Sequence, residues 1–234
     1  MKLYSAPLSL FARKVEIALG EKGLPYERVM VPFTQEVGYQ PKHPDVLEAN
    51  PKGQVPVLVD GDLTLFDSTL IFEYLEDAYP RPPLYPVGAV PRARCRLTEL
   101  AADEILLPLV RALMFRNAPP APDPARQAQL VAEAERAEAA IRDYYAKLET
   151  RLAGGEYFCD VFTVADIAMF MTVLFVLRLR GPRLDAFPAL AAWHALVGAR
   201  PAAAKAAAEI AAADRELSPL GRAPSPQTEL RGAR

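Results

Sequence analysis

The chain is poor in soft metal ligands and carries little charge imbalance. It holds two cysteines and two histidines among 234 residues, and Cys95 and Cys159 stand far apart with no CxxC spacing. That pattern indicates neither a zinc site nor a disulfide framework, and a reducing cytoplasm fits it best. Lys and Arg total 27 against 29 Asp and Glu, a net charge of −2, so broad attraction to nucleic acid or to an anionic membrane surface is not expected. Long hydrophobic runs are missing too. The longest, residues 167–177, falls well short of the roughly 20 residues needed to cross a bilayer, and it reads as a buried helix. Arg13 and Lys14 interrupt the one early apolar stretch, which leaves no signal-peptide core. Strand signals also disappear after about residue 91, so whatever sheet exists lies before it.

What the chain does contain is concentrated in residues 50–76, NPKGQVPVLVDGDLTLFDSTLIFEYLE. Residues 55–59 form a β-branched apolar run, Asp60-Gly61 is a hairpin signal, and residues 63–66 form a second apolar run. Asp67 and Ser68, both good N-cap residues, precede Leu70, Ile71, Tyr74, Leu75 and Ala78, an apolar stripe at helical spacing. Pro56 has no amide hydrogen and suits only a strand's first position or an edge, where it holds Val55 extended with its backbone facing outward.

Around this stretch the chain reads in order. Residues 2–4 predict a strand. Phe11, Val15, Ala18 and Leu19 mark one face of a helix ending near Lys22-Gly23, and residues 27–31 supply the next strand. A connection over residues 32–49, with a short helix at 44–48, leads into the strand, strand and helix described above. The order β-α-β, then β-β-α, is that of a thioredoxin-like domain with a mixed sheet. Pro80, Pro82, Pro83 and Pro86 then exclude helix and central strand. The expected organisation is α/β plus all-α: a thioredoxin-like domain at 1–80, a linker at 81–90 and a helical bundle domain at 91–217. In the second domain helices are expected at 91–116 and 124–152, the latter with Leu130, Ala134, Ala137, Ile141, Tyr144, Leu148 and Leu152 on one face. Thr163-Val-Ala-Asp166 has the form of a capping box, with Phe162 and Ile167 as its hydrophobic staple, opening a buried helix. Further helices follow around Trp193 and over 202–216, and the tail at 218–234 has little to bury.

The pattern NPxGxVPxL, a turn, then Asp67-Ser68 resembles the glutathione transferase family, and the resemblance covers nearly the whole chain to about residue 217. It implies a cis bond before Pro56, strand-like pairing of Val55 with the cysteinyl backbone of glutathione, and capture of the γ-glutamyl end by Asp67 and Ser68. Gln54 is implied as a further backbone contact, and Lys52 or His43 as partner of the glycyl carboxylate. Ser9, ahead of Leu10-Phe11-Ala12-Arg13-Lys14, matches the serine that in such transferases donates to the glutathione thiolate; Ser5 is the rival. Read from the residues alone, Ser9, Asp67 and Ser68 serve equally well as helix caps. The resemblance further implies glutathione as cosubstrate, a homodimer in which Asp103 or Glu104 approaches the partner's ligand, and an apolar electrophile site walled by Phe11, Met114 and Phe115. No metal, nucleic acid or membrane partner is implied. The alternatives are a regulatory protein of the stringent-starvation type, which contacts RNA polymerase and whose interdomain linker PPLYPVGAVPRAR resembles, a lyase, and a thiol-disulfide reductase, which has Cys where Ser9 stands.

Overall fold

The computed structural model describes residues 1–34 and 37–218. The tail expectation beyond Ser218 lies outside the described residues. Strand β1 (Lys2–Ser5), helix α1 (Leu10–Glu21) and strand β2 (Glu27–Met30) form a unit whose strands are parallel. After the short α2 (Pro44–Ala49), β3 (Val57–Asp60) and β4 (Leu63–Phe66) form a hairpin that adds to β1 antiparallel, giving the mixed order β2-β1-β3-β4. The hairpin turn is Gly61-Asp62, one position later than the sequence signal; Gly61 takes φ 60°, which a residue without Cβ adopts at no steric cost. Helix α3 (Ser68–Ala78) closes this unit against α1.

The all-helical part comprises α4 (Ala89–Ala101), α5 (Leu107–Arg111), α6 (Pro124–Leu152), α7 (Val164–Arg178), α8 (Pro188–Gly198) and α9 (Pro201–Leu217). The single helix expected over 91–116 is instead broken. A π-helical turn at Ala102–Leu106 separates α4 from α5, and a 3-10 turn follows at Met114–Asn117. Pro108, in the first turn of α5, has no N–H to return to the preceding turn, so a regular α-helix cannot run through it. On α6 the fully buried tyrosine is Tyr145, with Tyr144 half-buried beside it.

Helix α7 is the centre of the second part. Of its 15 residues nearly all are buried, and it packs against α1, α4 and α8. Its capping box forms in full. Asp166 Oδ2 accepts from the Thr163 N–H at 2.9 Å, while Oδ1 accepts from the Phe158 N–H at 3.2 Å and from Trp193 Nε1 at 2.9 Å. Burial pushes the Asp166 carboxyl above its ordinary pKa, and those donors oppose the push. One core runs through both parts, because α1 and α7 share it.

Candidate functional site

A cleft of about 330 Å³ opens between the sheet unit and α4. Nine of the residues singled out in the sequence line it together: Phe11, Lys52, Gln54, Val55, Pro56, Asp67, Ser68, Asp103 and Glu104. The local causes are separate. The Val55–Pro56 bond is cis, and the sheet register begins only at Val57, so no ladder uses the Val55 backbone. Asn50 fixes the loop before it, donating through Nδ2 to the Gln54 carbonyl at 2.7 Å and accepting from the Lys52 N–H at 3.0 Å. Asp67 is held at φ 78°, left-handed backbone that a residue with a Cβ rarely adopts, and it caps α3. Its Oδ1 accepts from the Thr69 and Leu70 amides at 3.0 and 3.3 Å. That leaves Oδ2 available beside the positive end of the helix. Ser68 is buried at the first position of α3.

The far wall comes from α4 and the π-turn, through Arg96, Glu99, Leu100, Asp103 and Glu104. Beneath it lies a fully buried ammonium. Lys14 Nζ stands 2.6 Å from Asp103 and 3.4 Å from Glu99, with the Phe11 and Phe72 rings 5.4 and 5.6 Å away. Thr69 Oγ1 donates to Glu99 at 2.7 Å. Burial raises both carboxyl pKa values, and Lys14 pulls each back. With both ionised, the cluster sums to one negative charge. Asp103 Oδ1 is buried and has no hydrogen-bond partner among the described residues. Lys14 is the one cation of this cluster against two carboxyl groups, so a cationic group entering the cleft meets acidic side chains next to the α3 N-terminus, with Lys52, Arg96 and Arg111 also in the lining.

Sequence reasoning singled out Asp103 and Glu104 but missed Lys14, Thr69, Arg96 and Glu99. The available signal was Arg13-Lys14-Val15-Glu16 inside a helix whose residues 10–19 are almost all buried; charges are rarely buried unless paired, so they announced partners elsewhere in the chain.

Ser9 is not among the residues lining the cleft. It is buried, and its Oγ accepts from the Ala12 N–H at 3.2 Å as N-cap of α1. The Tyr39 phenol lies next to it, and burial pushes that phenol up to about 12, with Ser9 pulling the other way. Ser5 donates to Glu16 at 2.5 Å from a fully buried position. His43 caps α2 through Nδ1 and packs on Tyr4, lining a separate small recess with Tyr39 and Val46. Met114 and Phe115 lie on the 3-10 turn, outside the cleft lining, whereas Phe11 belongs to it.

Residues 3–83 match the family model described as glutathione S-transferase, N-terminal domain, and residues 131–196 that of the C-terminal domain. Glutathione S-transferase 3 of Zea mays is 35% identical over 219 residues, covering 90% of this chain and 94% of that one. A stringent starvation protein A homolog of Coxiella burnetii is 44% identical over 99 residues, 42% of this chain and 44% of that protein, so the chain spans less than half the length of that relative. Among solved structures, a sphingomonad glutathione S-transferase complexed with glutathione superposes with a TM-score of 0.71 at 28% identity, covering 89% of this chain and 98% of that one.

Proposed function

Because the chain belongs to the glutathione S-transferase family, we propose that its cleft binds glutathione and presents the thiolate to a small, largely apolar electrophile. The observation that carries this reading is the convergence, in one cleft, of the ladder-free Val55 backbone and the Asp67-Ser68 start of α3. In this reading the γ-glutamyl carboxylate sits on the Ser68 hydroxyl and the Ser68 amide, since the Thr69 and Leu70 amides of that first turn are already taken by Asp67. Its ammonium faces Asp67 Oδ2 and the net negative Lys14–Glu99–Asp103 cluster. The cysteinyl backbone pairs with Val55, and Gln54 and Lys52 hold the glycyl end. Residues 1–80 then carry glutathione, residues 91–217 carry the electrophile side, and the working form is a cytoplasmic homodimer whose α4 and π-turn face the partner.

Ser9 serves as thiolate donor in this proposal. A capping serine accepts through a lone pair and still has its own O–H to give. A charge-assisted hydrogen bond of roughly 1.5–3 kcal/mol together with the α1 dipole at roughly 0.3–2 kcal/mol suffices to lower a thiol pKa by about two units, which corresponds to about 2.7 kcal/mol. The attacking sulfur belongs to glutathione, so no covalent bond to Ser9 forms.

Titration calorimetry with glutathione tests the site. Asp67→Ala and Ser68→Ala are each expected to weaken binding by roughly 1.5–3 kcal/mol, the scale of a lost charge-assisted hydrogen bond. Unchanged affinity with a lowered melting temperature would reduce both residues to helix caps. A panel of electrophiles assayed with glutathione then identifies the reaction.

A second reading, a non-catalytic regulatory protein of the stringent-starvation type, is favoured by one specific observation. Ser9 is buried as a cap, outside the cleft lining, and the chain is similar over 99 residues to a stringent starvation protein A homolog. Glutathione binding without turnover on any electrophile of the panel would select it.

A further inference from the structure

Lys52, Arg96 and Arg111 line the cleft, and they differ in what each has to bond. Arg96, on α4, is committed to Glu73, with Nε and Nη2 each donating at 2.7 Å to one of its carboxylate oxygens. Lys52 lies on the sheet side, in the loop before Val55 that the proposed reading gives to the glycyl end of glutathione. Arg111 enters from the helical side, as the last residue of α5, and it is exposed. Its guanidinium makes no hydrogen bond or ion pair among the described residues.

Local chemistry explains why Arg111 stays free. An arginine on a helix ordinarily pairs with a carboxylate three or four residues away, and those positions around Arg111 are held by Leu107, Pro108, Met114 and Phe115. Glu104, the nearest acid along the chain, lies about two turns back, roughly 10 Å along the axis. The carbonyls that end a helix also attract a cation in its last turn, but here they are engaged. Those of Leu109 and Val110 accept from the Ala112 and Leu113 amides at 3.2 and 2.9 Å. Apolar surface lies in the same cleft, from Phe11 and from Leu100, which is 52% exposed.

We propose that Arg111 is a specificity-determining residue, selecting an electrophile that joins an apolar body to a carboxylate. The inference rests on the glutathione reading of the cleft and adds the class of its second substrate. The guanidinium fork holds the carboxylate through two parallel N–H···O bonds, a geometry that an arginine without a partner offers ready-made. The apolar body lies against Phe11 and Leu100. The other acids of the helical wall, Glu99, Asp103 and Glu104, repel an anion, and Arg96 is already neutralised by Glu73. An acidic substrate therefore has one favourable partner on that wall, and the repulsion elsewhere fixes which way round it enters.

The test uses the full chain and two glutathione conjugates prepared beforehand, one from a chloronitrobenzoate and one from its methyl ester, the sulfur having displaced chloride from the ring. The two ligands differ only at the carboxylate, and neither measurement needs turnover. Titration calorimetry is expected to show the acid conjugate bound roughly ten- to a hundredfold more tightly than the ester, the scale of a hydrogen bond between charged partners. Added salt is expected to shrink that advantage. Arg111→Met is expected to bring the two conjugates to nearly equal affinity while leaving glutathione itself bound as in the wild type, and Arg111→Lys to keep part of the preference. Equal affinity for the two conjugates in the wild-type chain would overturn the assignment, as would a preference for the acid that survives Arg111→Met. Glutathione titrated alone separates the two possible failures. A chain that binds glutathione but treats the conjugates alike refutes only the role of Arg111, whereas one that binds none of the three ligands refutes the glutathione reading with it. The wild-type comparison is decisive against the proposal even if a variant does not fold.

Discussion

Helix α1 carries two ion networks, one buried and one partly exposed, and they differ in charge balance. On the cleft side one ammonium, Lys14, serves two carboxylates, Glu99 and Asp103. On the sheet side two guanidinium groups serve two carboxylates. Arg13 bonds Glu16 at 2.8 Å and Glu209 at 2.5 Å, Arg28 bonds Glu16 at 3.0 Å and also pairs with Glu209, and Ser5 donates to Glu16 as well. The balanced network ties β1, β2 and α1 to α9, so the last helix is clasped to the first unit. The unbalanced one ties α1 to α4 and the π-turn, and among the described residues each network leaves one buried polar atom without a hydrogen-bond partner, Asp103 Oδ1 in this one and Arg13 Nε in the other. An interior that closes its own charge is serving architecture. One that leaves net charge beside a cleft is prepared for a ligand of the opposite sign.

Variants that remove a cation on each side sharpen the contrast, and the largest effect belongs to the unbalanced network. Lys14→Met leaves Glu99 and Asp103 buried without a counter-charge and is expected to cost about 3–5 kcal/mol at neutral pH, the scale of a broken buried pair. Both carboxyls already have raised pKa values in the fold. A raised acid favours the folded state as pH falls towards its ordinary value, so urea melts of this variant are expected to recover part of the loss on mild acidification. A loss independent of pH would mean the two carboxylates are not paired through Lys14.

Arg13→Met is expected to cost less, roughly 1.5–3 kcal/mol, the scale of hydrogen bonds to charged groups, because Arg28 still reaches both Glu16 and Glu209. Glu209 tests the same network through pH. Burial pushes its pKa up, but the bonds from Arg28 and Arg13 win and hold it below 4.5. A lowered acid contributes stability that is present above its ordinary value and lost as pH falls through its folded value, so Glu209→Gln is expected to flatten the acid limb of the stability profile. An unchanged acid limb would place the acid sensitivity elsewhere.

The smallest structural effect is expected at the N-terminus of the same helix. Ser9→Ala removes a cap and costs about 1 kcal/mol. If Ser9 also donates to the thiolate, the absorbance of bound glutathione titrates roughly one to two units higher, at about 1.36 kcal/mol per unit, and lost turnover returns as pH rises. A wild-type titration curve in Ser9→Ala would leave the residue a cap alone.

Much of the fold was legible because its signals are local. Val55-Pro56, the turn residues after Asp60, the Asp67-Ser68 cap and the Thr163–Asp166 box each act within a few residues, so reading them needs no knowledge of what packs against them. Helix α6 was legible for a related reason, since the periodicity of its apolar residues survives over 29 residues. The break between α4 and α5 was missed because the apolar pattern runs through Pro108, and pattern alone does not show where hydrogen bonds fail.

The candidate site divides along the same line. The sequence by itself determined the half of the cleft that lies between residues 52 and 68, because backbone geometry there follows from proline, cap and hairpin chemistry. Only the tertiary structure decided that Lys14 lies under Glu99 and Asp103, that Arg13 reaches α9, and that Tyr39 stands against Ser9. The physical reason is reach. Propensities and caps are energies between near neighbours in the chain, whereas a buried charge or thiol takes its partner from whichever distant element the packed core brings within a few ångströms.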